Sequence, residues 1–343
     1  MSTPASDAAA AIAALQLDYL PADQLDSKPR TFWQQVLGVI GFNHAPELHG
    51  QSVPVSASMT PALAASARLC EVWRVAPDRS LSAMLTKGRV HYRYCDDLLF
   101  GCLTIKEQAP GAHGLLVATE AAYQDLFAVL AETPHRHLLR IWNYLPEING
   151  MIGNEERYRL FNSARQAAFR NSGRATMGTV PAACALGSPP GSPISIYFLA
   201  SRWAPKMIEN PRQTSAYHYP PKFGKHSPTF SRACLAPAHG GTSLFISGTA
   251  SIVGHETIHP GDVRAQTRET LANIKALLDE ANRLSGSMRY KFDNLKMKVY
   301  VRRAEDLPQI QSELTAALRS VQPLYVQADV CREDLLVEIE AAG

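Results

Sequence analysis

Hydrophobic and polar positions along this chain switch between a period near two and a period near 3.6, twice and in the same order. "GRVHYRYCDDLLFGCLTI" (Gly88–Ile105) alternates on either side of an Asp-Asp turn, the pattern of a β-hairpin. "GLLVA" (Gly114–Ala118) predicts a short strand and "TEAAYQDLFAVLAETP" (Thr119–Pro134) a helix, with Thr119 as N-cap and Pro134 past its end. "HLLRIWNYL" (His137–Leu145) predicts another strand. The order returns after residue 243. "SLFISGTAS" reads as a strand, and "DVRAQTRETLANIKALLDEANRL" (Asp262–Leu284) as a long helix capped by Asp262, with Leu271, Ile274, Leu277, Leu278, Ala281 and Leu284 on one face. "NLKMKVYVRR" predicts a strand and "EDLPQIQSELTAAL" (Glu305–Leu318) a helix, while "PLYVQADV" and "DLLVEIEA" predict closing strands. Two β-β-α-β passages imply an α+β fold made from a duplicated small unit, with mixed sheets and helices packed on one face.

Residues 151–243 have a different texture. "NEERYRLFNSARQAAFRNS" predicts a helix with Tyr158, Phe161, Arg165, Ala168 and Phe169 along one stripe. Turns ("GSPPGSP"), a strand ("ISIYFLA") and a long aromatic, basic loop (Tyr217–Ala233) follow. A loop of that length carrying Tyr217, Tyr219, Phe223 and Phe230 points to function. The expected division is therefore 1–150, a first half with an N-terminal extension, and 151–343, a second half into which 151–243 brings a substrate-binding helix and loop.

Composition narrows the class. With 343 residues, 46% of them hydrophobic, the chain can bury one large core or a few smaller ones. Only 19% are charged, the net charge is +3, and no basic run tracks along the chain, which argues against nucleic acid. The six cysteines (Cys70, Cys95, Cys102, Cys184, Cys234 and Cys331) form no CxxC pair, which fits a reducing cytoplasm better than a disulfide scaffold. "MSTPASDAAAAIAALQLDYL" lacks the basic start of a signal peptide, and no run approaches the ~18 apolar residues of a membrane span. Neither a P-loop nor G-x-G-x-x-G occurs, so no nucleotide, metal or redox cofactor is expected.

"HETIH" (His255–His259) matches the zinc-hydrolase pattern, which needs both histidines on one helical face. Gly254 precedes it, and Pro260 pushes His259 out of the helical region. The segment reads instead as a strand-to-helix connection. Ser247, Thr249 and Ser251 alternate as strand residues do, without the strained turn of a nucleophilic serine.

The run Leu244–Ile274, its helix "QTRETLANIKALLDEAN" and the ending "LLVEIEA" resemble the RidA (YjgF-like) fold family over residues 244–343 and, more faintly, 88–145. RidA imine deaminases hold the substrate carboxylate with an arginine ahead of the last strand, whereas "PLY" places Tyr325 there. The full length, the "SGTASIVGHET-H-GD" run and the loop ending "FSRA" resemble the chorismatase family, RidA-like proteins that remove pyruvate from chorismate. "CREDLLVEIE" is similar to the sub-types in which a cysteine stands seven residues before the last glutamate (Cys331, Glu338) and the products are hydroxybenzoates. The 3-hydroxybenzoate/4-hydroxybenzoate synthase type, which feeds aryl-polyene pigment and ubiquinone pathways, matches best. The resemblance implies Glu338 as acid and base and Cys331 as the residue steering product. It also implies substrate contacts from Tyr158, Arg165, Tyr217 and Arg232, with Gly248 and Thr249 as further contacts. It is compatible with a monomer or a homotrimer.

The residues themselves leave alternatives open. Two carboxylates and an enol ether ask for two cations, apolar walls and one acid, and arginine's planar fork suits carboxylates. Arg165 either snorkels or faces a pocket, and Arg232 is either a surface residue or a ligand. Alternation puts Leu335, Val337 and Ile339 on one face and Leu336, Glu338 and Glu340 on the other. That strand is either a half-exposed edge with solvated glutamates or an enclosed one that keeps Glu338 protonated. Cys331 reads equally as a small hydrophobe, and Gly248 as a bulge. An imine or enamine deaminase and a non-catalytic small-acid binding protein remain the competing functions.

Overall fold

Strands rich in β-branched and aromatic residues form three principal sheets whose inner faces meet. The computed structural model describes residues 15–343 apart from 43–45, 47, 49, 50, 59, 67, 239, 240, 319 and 320, so most of the alanine-rich start lies outside the described residues. The N-terminal sheet orders Leu15–Pro21, Leu69–Val75, Val36–Phe42 and Val55–Ser58. The central sheet orders Ala182–Ser188, His137–Pro146, Ile194–Ser201, Leu98–Ile105, Val90–Tyr94 and Leu85–Lys87. The C-terminal sheet orders Lys206–Ile208, Ala233–Ala238, Gly241–Ala250, Val337–Ala342, Lys296–Val301 and Leu324–Gln327. Both larger sheets are mixed, each with one parallel pair among antiparallel ones. Helices Gly111–Glu132 and Arg157–Asn171 cover the outer face of the central sheet, and Val263–Ser285 and Leu307–Ala317 that of the C-terminal sheet.

The inner faces of all three sheets share one core, with Trp73, Trp142, Tyr144, Tyr197, Phe245 and Tyr300 in it. Four charged side chains sit within these aromatics. Lys298 Nζ lies 2.6 Å from Glu71 Oε2 and 2.8 Å from Glu340 Oε1. Arg140 Nη2 donates to Glu340 Oε2 at 2.5 Å. The indoles of Trp73 and Trp142 donate to Glu71 and Glu340, each at 2.7 Å. Glu71 comes from the N-terminal sheet, Arg140 from the central one, and Lys298 and Glu340 from the C-terminal one, so the cluster ties the three together.

The expected α+β class and most elements are observed. Val90–Tyr94 and Leu98–Ile105 form the hairpin. Asp262 caps Val263–Ser285 by accepting from the Ala265 N–H at 2.9 Å, and Gly286 ends that helix in the left-handed region. Four features differ. Gly114–Ala118 is helical, because the helix starts at Gly111 after Pro110, and Thr119 is buried inside it rather than capping it. A short apolar run fits strand and helix alike, and only its packing on both flanks decides. This helix is long and apolar enough to cross a membrane by length and composition, but here its Leu115, Tyr123, Phe127 and Leu130 pack in the core with Phe161, Phe169 and the central sheet. Ala182–Ser188 is an unexpected strand; it and Ile194–Ser201 pair into the sheet of the first half, although a division at residue 150 assigns them to the second. Finally, the last strand begins at Val337 rather than Asp334; it lies between two others, the enclosed one of the two arrangements its alternation allows. Leu335 therefore packs with Ala250, Ile252 and Val330, while Leu336 joins Val337 and Ile339 under the helices.

Replacing Lys298 by Met would leave Glu71 and Glu340 buried with one cation between them. The expected loss of stability is ~3–5 kcal/mol, the cost of breaking a buried ion pair from one side. Urea denaturation checks it, and a loss below about 1 kcal/mol would contradict the tying role.

Candidate active site

Alternation along Val337–Ala342 turns Glu338 and Glu340 toward the inner core and Val337, Ile339 and Ala341 toward the helices. Glu340 joins the ion cluster, while Glu338 reaches the wall of a cavity of about 570 Å³. Tyr158, Tyr219, Phe230, Arg232, Cys331 and Arg332 also line this cavity. Opposite Glu338, the Gly241–Ala250 strand bulges between Ile246 and Thr249. A Cβ on Gly248 would lie 1.9 Å from Glu338 Oε1 and 3.0 Å from the Cys184 Cβ, so only glycine leaves room for this carboxyl.

Burial, and after it the negative charge of Glu340, raises the Glu338 carboxyl from 4.5 to about 8, although Arg140, Arg232 and Arg302 pull the other way. It holds its proton at neutral pH. Burial by itself would raise Glu340 as well, but Lys298 and Arg140 hold it down at about 2. Burial and then Glu338 push the Cys331 thiol up to about 12, so it is an uncharged part of the wall. Burial likewise drives the Tyr158 phenol well above its usual value.

Two guanidinium groups face the same space. Arg232 Nη2 donates to the Thr214 carbonyl and to Tyr219 Oη, both at 2.7 Å, and the group stacks 5.2 Å from the Phe230 ring centre. Arg332 Nη1 donates to the His255 carbonyl at 2.9 Å, with its guanidinium 4.1 Å from the Phe223 ring centre. Arg232 Nε and Arg332 Nη2 are buried and have no partner among the described residues. Each tethered guanidinium therefore keeps a donor free for an acidic ligand.

Of the residues expected in the site, Glu338, Cys331, Tyr158, Arg232 and Gly248 come together here. The other three do not line the cavity. Arg165 is buried 5.5 Å from the ring centres of both Tyr123 and Phe169, with Nε and Nη2 unpartnered among the described residues. Tyr217 lies beside Ser215 and Glu209, and the tyrosine that the loop contributes is Tyr219. The Thr249 hydroxyl donates to the Ser247 carbonyl at 2.8 Å. Arg332 went unnoticed in the sequence, where its only signal is its place beside Cys331. The "HETIH" segment is a connection: Glu256–Thr257 pairs with Ile252–Val253, His259 has a φ of 60°, and Glu256 pairs with Lys222. Ser247 and Ser251 hydroxyls donate to the carbonyls of Ser231 and Ile258.

The cleft brings two tethered guanidinium groups and a proton-bearing carboxyl together, with Glu156, Glu256, Glu333 and Asp334 elsewhere in its lining, an arrangement able to hold a compact acidic molecule. Comparison with known proteins agrees in kind. The model of the chorismatase FkbO/Hyg5-like N-terminal family matches residues 71–200. A 3-hydroxybenzoate synthase of Streptomyces hygroscopicus is 40% identical over 233 residues, which are 65% of this chain and 68% of that protein. A chorismatase of the same organism is 37% identical over 277 residues, 79% of this chain and 78% of its own length. A crystal structure of chorismatase superposes with a TM-score of 0.83 at 29% identity, covering 96% of this chain and 98% of that one. The chain belongs to the chorismatase family.

The raised carboxyl sets a pH dependence of stability. The folded chain holds a proton on Glu338 that the unfolded chain releases near 4.5, so this contribution is complete below that pH and is lost as pH rises through about 8. Glu338→Gln carries no such proton. Urea titrations at several pH values should show a shallower decline of stability for the variant between pH 5 and 8; parallel curves would contradict the shift.

Proposed function

We propose that the chain cleaves the enolpyruvyl ether of chorismate, releasing pyruvate and leaving 3-hydroxybenzoate, 4-hydroxybenzoate or both. The observation that carries this reading is the protonated Glu338 enclosed with Arg232 and Arg332, whose free N–H groups suit the two carboxylates of such a substrate. Glu338 gives its proton to the methylene carbon of the enol ether. The ring C3–O bond then breaks, and its electrons become those of the pyruvate ketone. The neighbouring 4-hydroxyl oxygen closes onto the vacated carbon as an epoxide, and its proton returns to Glu338. Opening either epoxide C–O bond, with loss of the ring hydrogen, restores the aromatic ring with its hydroxyl at position 3 or 4. No water is consumed, and the atoms of chorismate equal those of the two products. The neutral Cys331 thiol beside Glu338 favours this internal route by keeping that wall apolar and dry.

The same reading takes the cytoplasm as the setting and pigment or ubiquinone pathways as consumers of the product. The reading is compatible with a monomer or a homotrimer as the working unit. A deaminase is disfavoured because Tyr325, where that activity needs an arginine, is buried beneath the helices and does not line the cavity. A binding protein without catalysis is separated by experiment.

Incubation with chorismate should yield pyruvate and a hydroxybenzoate in equal amounts, identified by chromatography. Glu338→Gln should slow pyruvate release by ~10²–10⁴ while chorismate still binds. Near-normal turnover of that variant would contradict the mechanism. Arg332→Ala should raise KM about tenfold to hundredfold, the worth of one charged hydrogen bond, with a smaller change in kcat.

A further inference from the structure

We infer that the buried network of Glu340, Arg140, Lys298 and Glu71 tunes the proton affinity of Glu338, with Glu340 as a positioning residue that acts through its charge; this rests on Glu338 being the acid of the proposed reaction. Glu338 and Glu340 are two residues apart on one face of a central strand, about 7 Å along the chain. In the neighbouring strand Lys298 stands opposite Glu340, and Tyr300 opposite Glu338. Glu338 therefore has no cation directly across from it, while Glu340 has Lys298 across the ladder and Arg140 from the facing sheet, 2.8 Å and 2.5 Å away. Glu71, from the third sheet, holds Lys298 in place at 2.6 Å.

A carboxylate so held stays ionised at every working pH. It supplies a fixed negative charge that a second carboxylate on the same face would have to oppose in a dry core. Glu156, Glu256, Glu333 and Asp334 also line the cavity, but among the charges that act most strongly on Glu338 only Glu340 raises it. Arg232 and Arg302 act in the opposite direction, as does Arg140. Cys331, Cys184, Tyr158 and Tyr300 are all held neutral by burial. One carboxyl is thus kept charged so that its neighbour keeps a proton.

The test is the alkaline limb of kcat against pH, measured on the full-length enzyme with chorismate. Glu340→Gln keeps the shape and removes the negative charge; its limb should move down by about one to two pH units, the Coulomb effect of a unit charge at ~7 Å in a medium of effective dielectric about 20. Arg140→Gln removes a positive charge from the same carboxyl, and its limb should move up. Opposite shifts are what a purely structural network would not give. Circular dichroism and denaturation establish which variants fold. If one does not, the other must still move its limb in its own direction. Two limbs that stay in place, or move the same way, overturn the inference, as does failure of both variants to fold. An active Glu338→Gln enzyme would instead sink the proposed reaction, while an inactive one with unmoved limbs sinks only the tuning.

Discussion

The Lys298 ammonium, enclosed by aromatic rings and held between the carboxylates of Glu71 and Glu340, is the contact on which the remaining structure depends. Burying charges costs several kcal/mol per ion in lost hydration, so such a cluster adds little net stability even when every partner is in place. What it adds is specificity. Three sheets with apolar inner faces could slide past one another, but only one arrangement gives Lys298, Arg140, Glu71 and Glu340 their partners. The indoles of Trp73 and Trp142, each donating to one of the carboxylates, make the requirement stricter.

That arrangement reaches the cavity through a single strand. The register that brings Glu340 to Lys298 also brings Glu338 to the cavity wall, since side chains two apart share a face. Slipping the strand by one residue would exchange both glutamates for isoleucine and valine. The two carboxyls end in opposite states, one charged among cations and one protonated and buried in the cavity wall, the separation that acid–base chemistry requires. Gly248 completes the geometry by letting the carboxyl lie against backbone. In the same cavity, Arg232 and Arg332 are held by backbone carbonyls and aromatic faces, so a ligand meets donors already in place.

Much of this was legible in the sequence wherever a local rule governs. The Asp262 cap, the Gly88–Ile105 hairpin and the alternation around Glu338 each follow from a few neighbouring residues. The likeness of "CREDLLVEIE" and "SGTASIVGHET" to known chorismatases pointed to Glu338, Cys331 and Gly248 together. Other features depend on contacts between distant segments. Gly114–Ala118 is apolar on every side, so its periodicity could not separate helix from strand. Ala182–Ser188 is made of small residues with weak strand preference, and it is a strand because His137–Pro146 offers it an edge. Tyr217 and Tyr219 are equivalent in composition, and only the course of the loop decides which one meets Arg232. Glu71 carries no pattern at all, since its partner lies more than two hundred residues away in Lys298.

The central claim is that a carboxyl near the end of the chain carries a proton at neutral pH in the wall of a cleft that also holds Arg232 and Arg332. Infrared difference spectra between the unaltered protein and Glu338→Gln, recorded across a pH series, observe that proton through the carbonyl stretch of the neutral acid. The account predicts a protonated-carboxyl band at pH 7 that disappears with a midpoint near 8. A carboxylate already ionised at pH 6 would contradict it.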